Sequence, residues 1–137
     1  MAFHPIDRDT WDRAERFEHY FSQVPCFYSM TVDLDVTELK RRGGRFYPAV
    51  LYSLAVIVNR HREFRMAFNE EGVLGWYDQL SPSYTVFHPD TESFSCLWTE
   101  YTPDLSAFLQ RYEEDLRLFG SVESSEASPH TPANVLN

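Results

Sequence analysis

The chain has 137 residues, 16% of them aromatic, and its 21 acids against 12 Lys and Arg give a formal charge of −9. One domain with its own hydrophobic core fits that length, and the acidic surplus disfavours nucleic acid, whose phosphates it repels unless a local basic patch compensates. No apolar run of about 18 residues is present to cross a membrane, the start Met1-Ala2-Phe3-His4-Pro5 lacks a basic-then-apolar leader, and two cysteines without a CxxC support neither a disulfide framework nor a zinc ribbon.

A cytoplasmic location is therefore expected, with Cys26 and Cys96 as buried reduced thiols. Trp11, Ala14, Phe17 and Phe21 recur at helical spacing and predict a helix over Trp11–Phe21, capped by Asp9 or Thr10 and ended by Val24-Pro25. Cys26–Leu34 alternates: Cys26, Tyr28, Met30, Val32 and Leu34 share one face, as in a half-buried strand. Asp35-Val36-Thr37-Glu38 fits a capping box for a short helix to about Arg42, stopped by Gly43-Gly44. The basic run Lys40-Arg41-Arg42, with Arg45 nearby, suits that helix's C-terminus, where the dipole favours cations. Pro48 suits the first turn of the next helix, and Ala49–Val58 is apolar nearly all round, which predicts a central, buried helix with a polar exit at His61-Arg62-Glu63.

Arg65–Phe68 and Val73–Tyr77 read as two strands of a hairpin turning at Asn69-Glu70-Glu71-Gly72. Ser81-Pro82-Ser83 is expected as a loop. Tyr84–His88 and Ser93–Trp98 follow as strands. Thr102 is the expected cap of a last helix opened by Pro103, whose stripe is Leu105, Phe108, Leu109, Tyr112, Leu116 and Phe119, and Gly120 stops it. Ser121–Asn137 is rich in Ser, Glu, Pro and Asn, and is expected to drape loosely as a polar, disordered tail. The organisation is thus a domain over 1–120 and a tail over 121–137. The fold class is α+β, with a mixed or antiparallel sheet covered by helices.

Chemistry-bearing motifs are sparse. The chain has no H-E-x-x-H, G-x-S-x-G, phosphate-binding P-loop or dinucleotide fingerprint, and no metal site is expected. Asp33 and Asp35 share a strand face, and Glu113-Glu114-Asp115 lies mid-helix; both groups read as solvated. Aromatic residues including Tyr20, Tyr28, Tyr84, Phe87, Phe94 and Trp98 are either an aromatic core or the walls of a flat slot for a small aromatic ligand.

Six ordered blocks carry a resemblance. They are Arg13-Ala14-Glu15-Arg16-Phe17, Val24-Pro25-Cys26, Arg45-Phe46-Tyr47-Pro48-Ala49, Phe64-Arg65-Met66-Ala67, Tyr84-Thr85-Val86-Phe87-His88 and Thr91-Glu92-Ser93-Phe94-Ser95. Over about Phe3 to Gly120 the chain resembles the N-terminal portion of the type A chloramphenicol acetyltransferases. The resemblance implies a partial two-layer sandwich of that family's type.

For full-length relatives it implies trimers in which a histidine of an H-H-x-x-x-D-G motif deprotonates the 3-hydroxyl of chloramphenicol for attack on acetyl-CoA, a serine steadying the oxyanion. It also places Tyr20, Val24, Cys26, Tyr28, Phe94 and Cys96 on positions that contact the antibiotic, with His19 where relatives carry an aromatic. Arg13 matches an arginine that pairs with the aspartate of the late motif. This chain has no H-x-x-x-D, so no catalytic residue and no coenzyme are expected for it. The expected function is a truncated acetyltransferase-like protein, inactive alone, that keeps part of a wall for chloramphenicol or a similar small aromatic. The alternatives are an interaction module that forms homo-oligomers or mixed trimers, or an acyltransferase using His88 as a replacement base.

Overall fold

The computed structural model describes residues 2–41, 43–124, 127–128 and 130–136. Two small sheets and four helices account for most of them. The first sheet has the order β1 (Phe3–Pro5), β3 (Leu74–Tyr77), β2 (Met66–Phe68), and the second β5 (Ser93–Trp98), β4 (Ser81–His88), β6 (Val135–Leu136). The chain is α+β, as expected.

β1 (Phe3–Pro5) had no signal in the sequence beyond a single aromatic. It pairs antiparallel with β3, Phe3 opposite Tyr77 and His4 opposite Trp76. Gly75 makes this approach possible. A β-carbon there would lie 2.5 Å from the His4 carbonyl oxygen and inside the Phe3 ring, so only glycine lets β1 lie so close.

The first helix is shorter than its stripe predicts. α1 (Ala14–Glu18) runs directly into a wider π-helical turn over His19–Gln23. Asp7, rather than Asp9 or Thr10, organises the entry: its carboxylate accepts from the Asp9 amide at 3.1 Å and the Thr10 hydroxyl at 2.9 Å. Trp11, Phe17 and Phe21 stack in series, and Phe17 and Phe21 both reach Phe68.

The expected strand Cys26–Leu34 is not a strand of either sheet. It takes no regular secondary structure, and no backbone hydrogen bond involves residues 25–35 among the described residues. The apolar face is in solvent, with Tyr28 86%, Met30 75% and Leu34 76% exposed. The periodicity is real, but no ladder partner for it lies among the described residues. Cys26 is likewise exposed rather than buried, while Cys96 is partly buried.

α2 (Thr37–Arg41) starts under Asp35, whose carboxylate accepts from the Thr37 amide at 2.9 Å. Glu38 does not reach back to close a capping box. It pairs forward with Arg41 at 2.7 Å. Arg42, the expected end of this helix, lies outside the described residues, and Gly43 follows with φ of 66°.

α3 (Phe46–Arg60) holds Pro48 in its first turn, as expected, and ends before His61. It is not buried all round. Pro48, Leu51 and Ala55 are buried, whereas Leu54 and Ile57 are 59% and 46% exposed. One face packs on the second sheet, and the other has no cover among the described residues. Asn59 clamps the helix to the sheet: its Nδ2 donates to the Leu80 carbonyl at 2.8 Å, and its Oδ1 accepts from the Leu80 amide at 2.9 Å.

A 3-10 turn over Arg62–Arg65 leads into β2 (Met66–Phe68), which pairs with β3 (Leu74–Tyr77). Arg65, expected to open the strand, instead donates to the Tyr77 and Asp78 carbonyls and lies over the Trp76 ring. The turn chemistry between the strands is as expected. Asn69 Oδ1 accepts from the Glu71 and Val73 amides, and Gly72 takes φ of 74°.

β4 (Ser81–His88) absorbs the expected loop Ser81-Pro82-Ser83. It pairs antiparallel with β5 (Ser93–Trp98) and, on its other edge, parallel with β6 (Val135–Leu136). Proline is tolerated here at the strand's beginning, where its missing donor costs least. α4 (Leu105–Phe119) is capped by Asp104 rather than Thr102, its carboxylate accepting from the Ala107 amide at 2.6 Å. Phe108 and Tyr112 of its stripe are buried, while Leu105 is exposed.

The core lies between α3, α4 and the inner face of β4–β5. Leu51, Tyr84, Leu97, Phe108, Tyr112 and Ala127 form it, with Phe108 fully buried. Burying such a ring is worth about 1.5–3 kcal/mol. Ala127 comes from the stretch expected to be loose. Asn134 of the same stretch is buried, its carbonyl accepting from the Ser81 amide and its Nδ2 donating to the Gln79 carbonyl. Polar composition hides this packing because short side chains and backbone groups, not large apolar residues, carry it.

Candidate functional site

Alternation along β4 and β5 sends Tyr84, Val86 and His88 inward, against Ser95, Leu97 and Thr99. Phe87 and Phe94 are opposite one another on the outer face and more than 60% exposed. Cys96 shares that outer face, opposite Thr85. Two of the six expected wall residues are therefore neighbours on one sheet surface.

The other four lie elsewhere. Tyr20 belongs to an open groove of about 790 Å³ lined by Trp11, Arg13, Arg16, Phe17, Phe21 and others, none of them from β5. Val24 closes the π-helical turn, and Cys26 and Tyr28 sit on the extended stretch, both exposed. Hence the described residues do not assemble the six positions into one pocket. His19, on the same turn as Tyr20, packs edge-on against its ring and bonds Gln23 at 3.2 Å. Arg13 makes no ion pair among the described residues.

His88 is buried and its Nε2 lies 2.6 Å from Ser95 Oγ. A serine beside a histidine invites a reading as a nucleophile and base. The hydrogen bonds rule against it. The Ser95 hydroxyl donates to the Val122 carbonyl and accepts from the Ser124 amide. With its one proton committed, Ser95 can only accept from the ring, so His88 Nε2 carries the proton. The pair acts as a peg that fastens the stretch after α4 onto β5.

A second polar chain crosses the core. Thr99 donates to Asp115 Oδ2 at 2.7 Å, so its oxygen accepts from Tyr84 at 3.0 Å. Burial pushes the Tyr84 phenol up, against the opposing effect of the Thr99 bond. Burial likewise raises the Asp115 carboxyl above the ordinary aspartate range, more than Thr99 lowers it. Asp115 also lines a cavity of about 250 Å³ with Trp98, Phe119, Ser128 and His130. The sequence places Asp115 on a solvated face with Glu113 and Glu114. Only those two are exposed. The missed signal is spacing, since Asp115 falls three residues after buried Tyr112 and four before Phe119, on the packed face.

Among the described residues, no group of three His, Cys, Asp or Glu side chains is placed to hold a metal ion. No helix among the described residues is long and apolar enough to cross a membrane.

The family model for chloramphenicol acetyltransferase matches residues 1–137. The chain belongs to the chloramphenicol acetyltransferase family. It is 52% identical over 137 residues to a chloramphenicol acetyltransferase of Clostridium perfringens, covering all of this chain and 66% of that protein. It is 48% identical over 135 residues to one of Campylobacter coli, covering 98% of this chain and 65% of the relative. A solved chloramphenicol acetyltransferase superposes with a TM-score of 0.73 over 97% of this chain and 62% of its own, at 21% identity, which speaks to the fold. The chain thus spans just under two thirds of the length of these relatives.

Within the chloramphenicol acetyltransferase family the match does not stop at Gly120, where the sequence blocks end. It runs through the polar stretch to residue 137, in keeping with the packing of Ala127 and Asn134.

Proposed function

We propose that this chain supplies the scaffold of a chloramphenicol acetyltransferase and part of its antibiotic-binding wall, without transferring acetyl groups by itself. The observation that carries the reading is the commitment of His88. It is the one strand histidine beside the expected wall residue Phe94, yet its Nε2 proton is held on Ser95. The proposed wall keeps Tyr20, Val24, Cys26, Tyr28, Phe94 and Cys96, all of them at least partly accessible. The protein is proposed to reside in the cytoplasm. Acetyl-CoA belongs to the complete enzyme and not to this chain alone.

The test is to incubate the purified chain with acetyl-CoA and chloramphenicol and follow free thiol, and separately to record its melting temperature with each compound. The reading expects no turnover, a rise in melting temperature with chloramphenicol that Phe94→Ala or Tyr20→Ala diminishes, and no rise with coenzyme A. Turnover that disappears in His88→Ala would overturn it in favour of replacement chemistry. The absence of any chloramphenicol shift would remove the binding wall.

A second reading, a self-associating module, draws on a different observation. Phe27, Tyr28, Met30, Val32 and Leu34 are each more than 60% exposed on one continuous stretch without helix or sheet. Contiguous apolar surface with unused backbone groups favours association.

A further inference from the structure

We infer that the cavity lined by Trp98, Asp115, Phe119, Ser128 and His130 is a binding site for a small organic cation carrying N–H donors, of the alkylammonium type. The site is separate from the proposed antibiotic wall, none of whose six residues lines it among the described residues.

Three observations point to that chemistry. The first is a carboxylate with no opposite charge. Asp115 is partly buried, and only its Oδ2 has a hydrogen-bond partner among the described residues, the Thr99 hydroxyl at 2.7 Å. No cation of the chain pairs with it among those residues. Arg111 is held by Glu100 at 2.8 Å, Arg117 by Glu114 at 2.5 Å and Arg45 by Glu113 at 3.4 Å. A carboxylate taken out of water without a partner charge is costly. Burial raises this one above the ordinary aspartate range, so a cation reaching Oδ1 offsets a cost the fold already carries.

The second observation is the wall. Trp98 spends its indole N–H on the His130 carbonyl at 3.0 Å, so what the ring has left for a ligand is its π face, and Phe119 adds another. Such faces attract cations, Trp most strongly. The third is the rest of the lining. Among the described residues it has no Lys or Arg, so an anion finds no charged partner there, while Ser128 adds a hydroxyl able to accept a second N–H. The volume of about 250 Å³ falls below the roughly 300–1,000 Å³ of drug-sized sites. That size suits an ammonium on a short alkyl chain.

The test titrates the 137-residue chain with n-butylammonium and, separately, with n-butanol, its uncharged counterpart of the same length. The readout is the indole Nε1–H resonance of Trp98, identified by its loss in Trp98→Phe. The ammonium is expected to shift this resonance saturably, and more than those of Trp11 and Trp76. It should bind about tenfold or more tighter than the alcohol, the worth of one charge-assisted hydrogen bond. Asp115→Asn, which keeps an oxygen for Thr99, should weaken the ammonium by about the same factor. Glu113→Gln removes an equal charge from an exposed site on the same helix and should leave binding unchanged. Absence of a saturable shift would overturn the site. Equal binding of ammonium and alcohol would overturn its cationic ligand. Equal weakening by D115N and E113Q would reduce the effect to general attraction toward a chain of charge −9, and that too overturns the site. The comparison of the two probes is made on the unsubstituted chain, so it decides the matter even if Asp115→Asn fails to fold. Chloramphenicol enters none of these titrations, so their failure is distinct from failure of the antibiotic wall.

Discussion

Thr99 has one hydroxyl and two obligations, to Tyr84 and to Asp115, and both bonds are made in the core. Asp115 is the member whose charge is at stake. Its carboxyl is raised by burial above the 3.8 of a free aspartate, so the folded chain holds this proton where the unfolded chain has lost it. Stability therefore falls as pH rises from about 3.8 through the raised folded value. Asp115→Asn keeps an oxygen to accept from Thr99 and carries no charge. The variant is expected to lose that downward slope and to be at least as stable as the parent at pH 7, with the advantage shrinking below pH 4. Urea midpoints across this range check it, and a parent and variant that fall in parallel would contradict it. At this scale the sequence is legible where side chains repeat at a period. Asn69, Gly72 and Pro48 do what their local chemistry implies. Asn59, His88 and Thr99 escape because their partners are 21, 7 and 15–16 residues away, and no local pattern announces such a bond.

Among the elements, both hairpins and the amphipathic α4 follow from alternation and the 3.6-residue stripe. β1 does not. Three residues give too short a window for periodicity, and its place is decided by Gly75 in the facing strand. Gly75→Ala is accordingly expected to displace β1, since a backbone oxygen at 2.5 Å cannot step aside as a flexible side chain could. The His4–Trp76 stack and the 2.6 Å bond from His4 to Asp78 would be lost with it. Amide exchange of residues 3–5 measures this, and continued protection in the variant would refute it. The stretch 26–34 shows the opposite failure. Its sequence reads as a strand, yet it has no ladder partner among the described residues. The expected wall shares this difficulty. Phe94 and Cys96 are positioned by a complete hairpin, whereas Cys26 and Tyr28 lie on a stretch with no ladder partner among the described residues.

For the molecule as a whole, the α+β class and the core between α3, α4 and β4–β5 are legible because large apolar residues define them. The closing stretch is not, because it is held by backbone carbonyls and small residues. Val122 receives Ser95, Asn134 receives the Ser81 amide, and Ala127 fills the core. Ending the chain at Gly120 would leave Ser95 and the Ser81 amide buried without these partners. Each such group costs about 1–3 kcal/mol, a large share of the roughly 5–15 kcal/mol that holds a domain folded. The shortened chain is expected to melt at least 10 °C lower by circular dichroism, and an unchanged melting temperature would show that the stretch contributes nothing.

The unladdered, exposed stretch over residues 25–35 is where a protease would first reach the chain. Proteases take substrate segments free of helix and sheet, and residues 25–35 lie in neither, with Phe27 and Tyr28 exposed as side chains that a chymotrypsin-like cleft selects. A cut there would not release the N-terminal piece. β1 stays laddered to β3, and Phe17 and Phe21 stay against Phe68. The product would be a nicked molecule that stays together under native conditions and separates into two pieces only on denaturation.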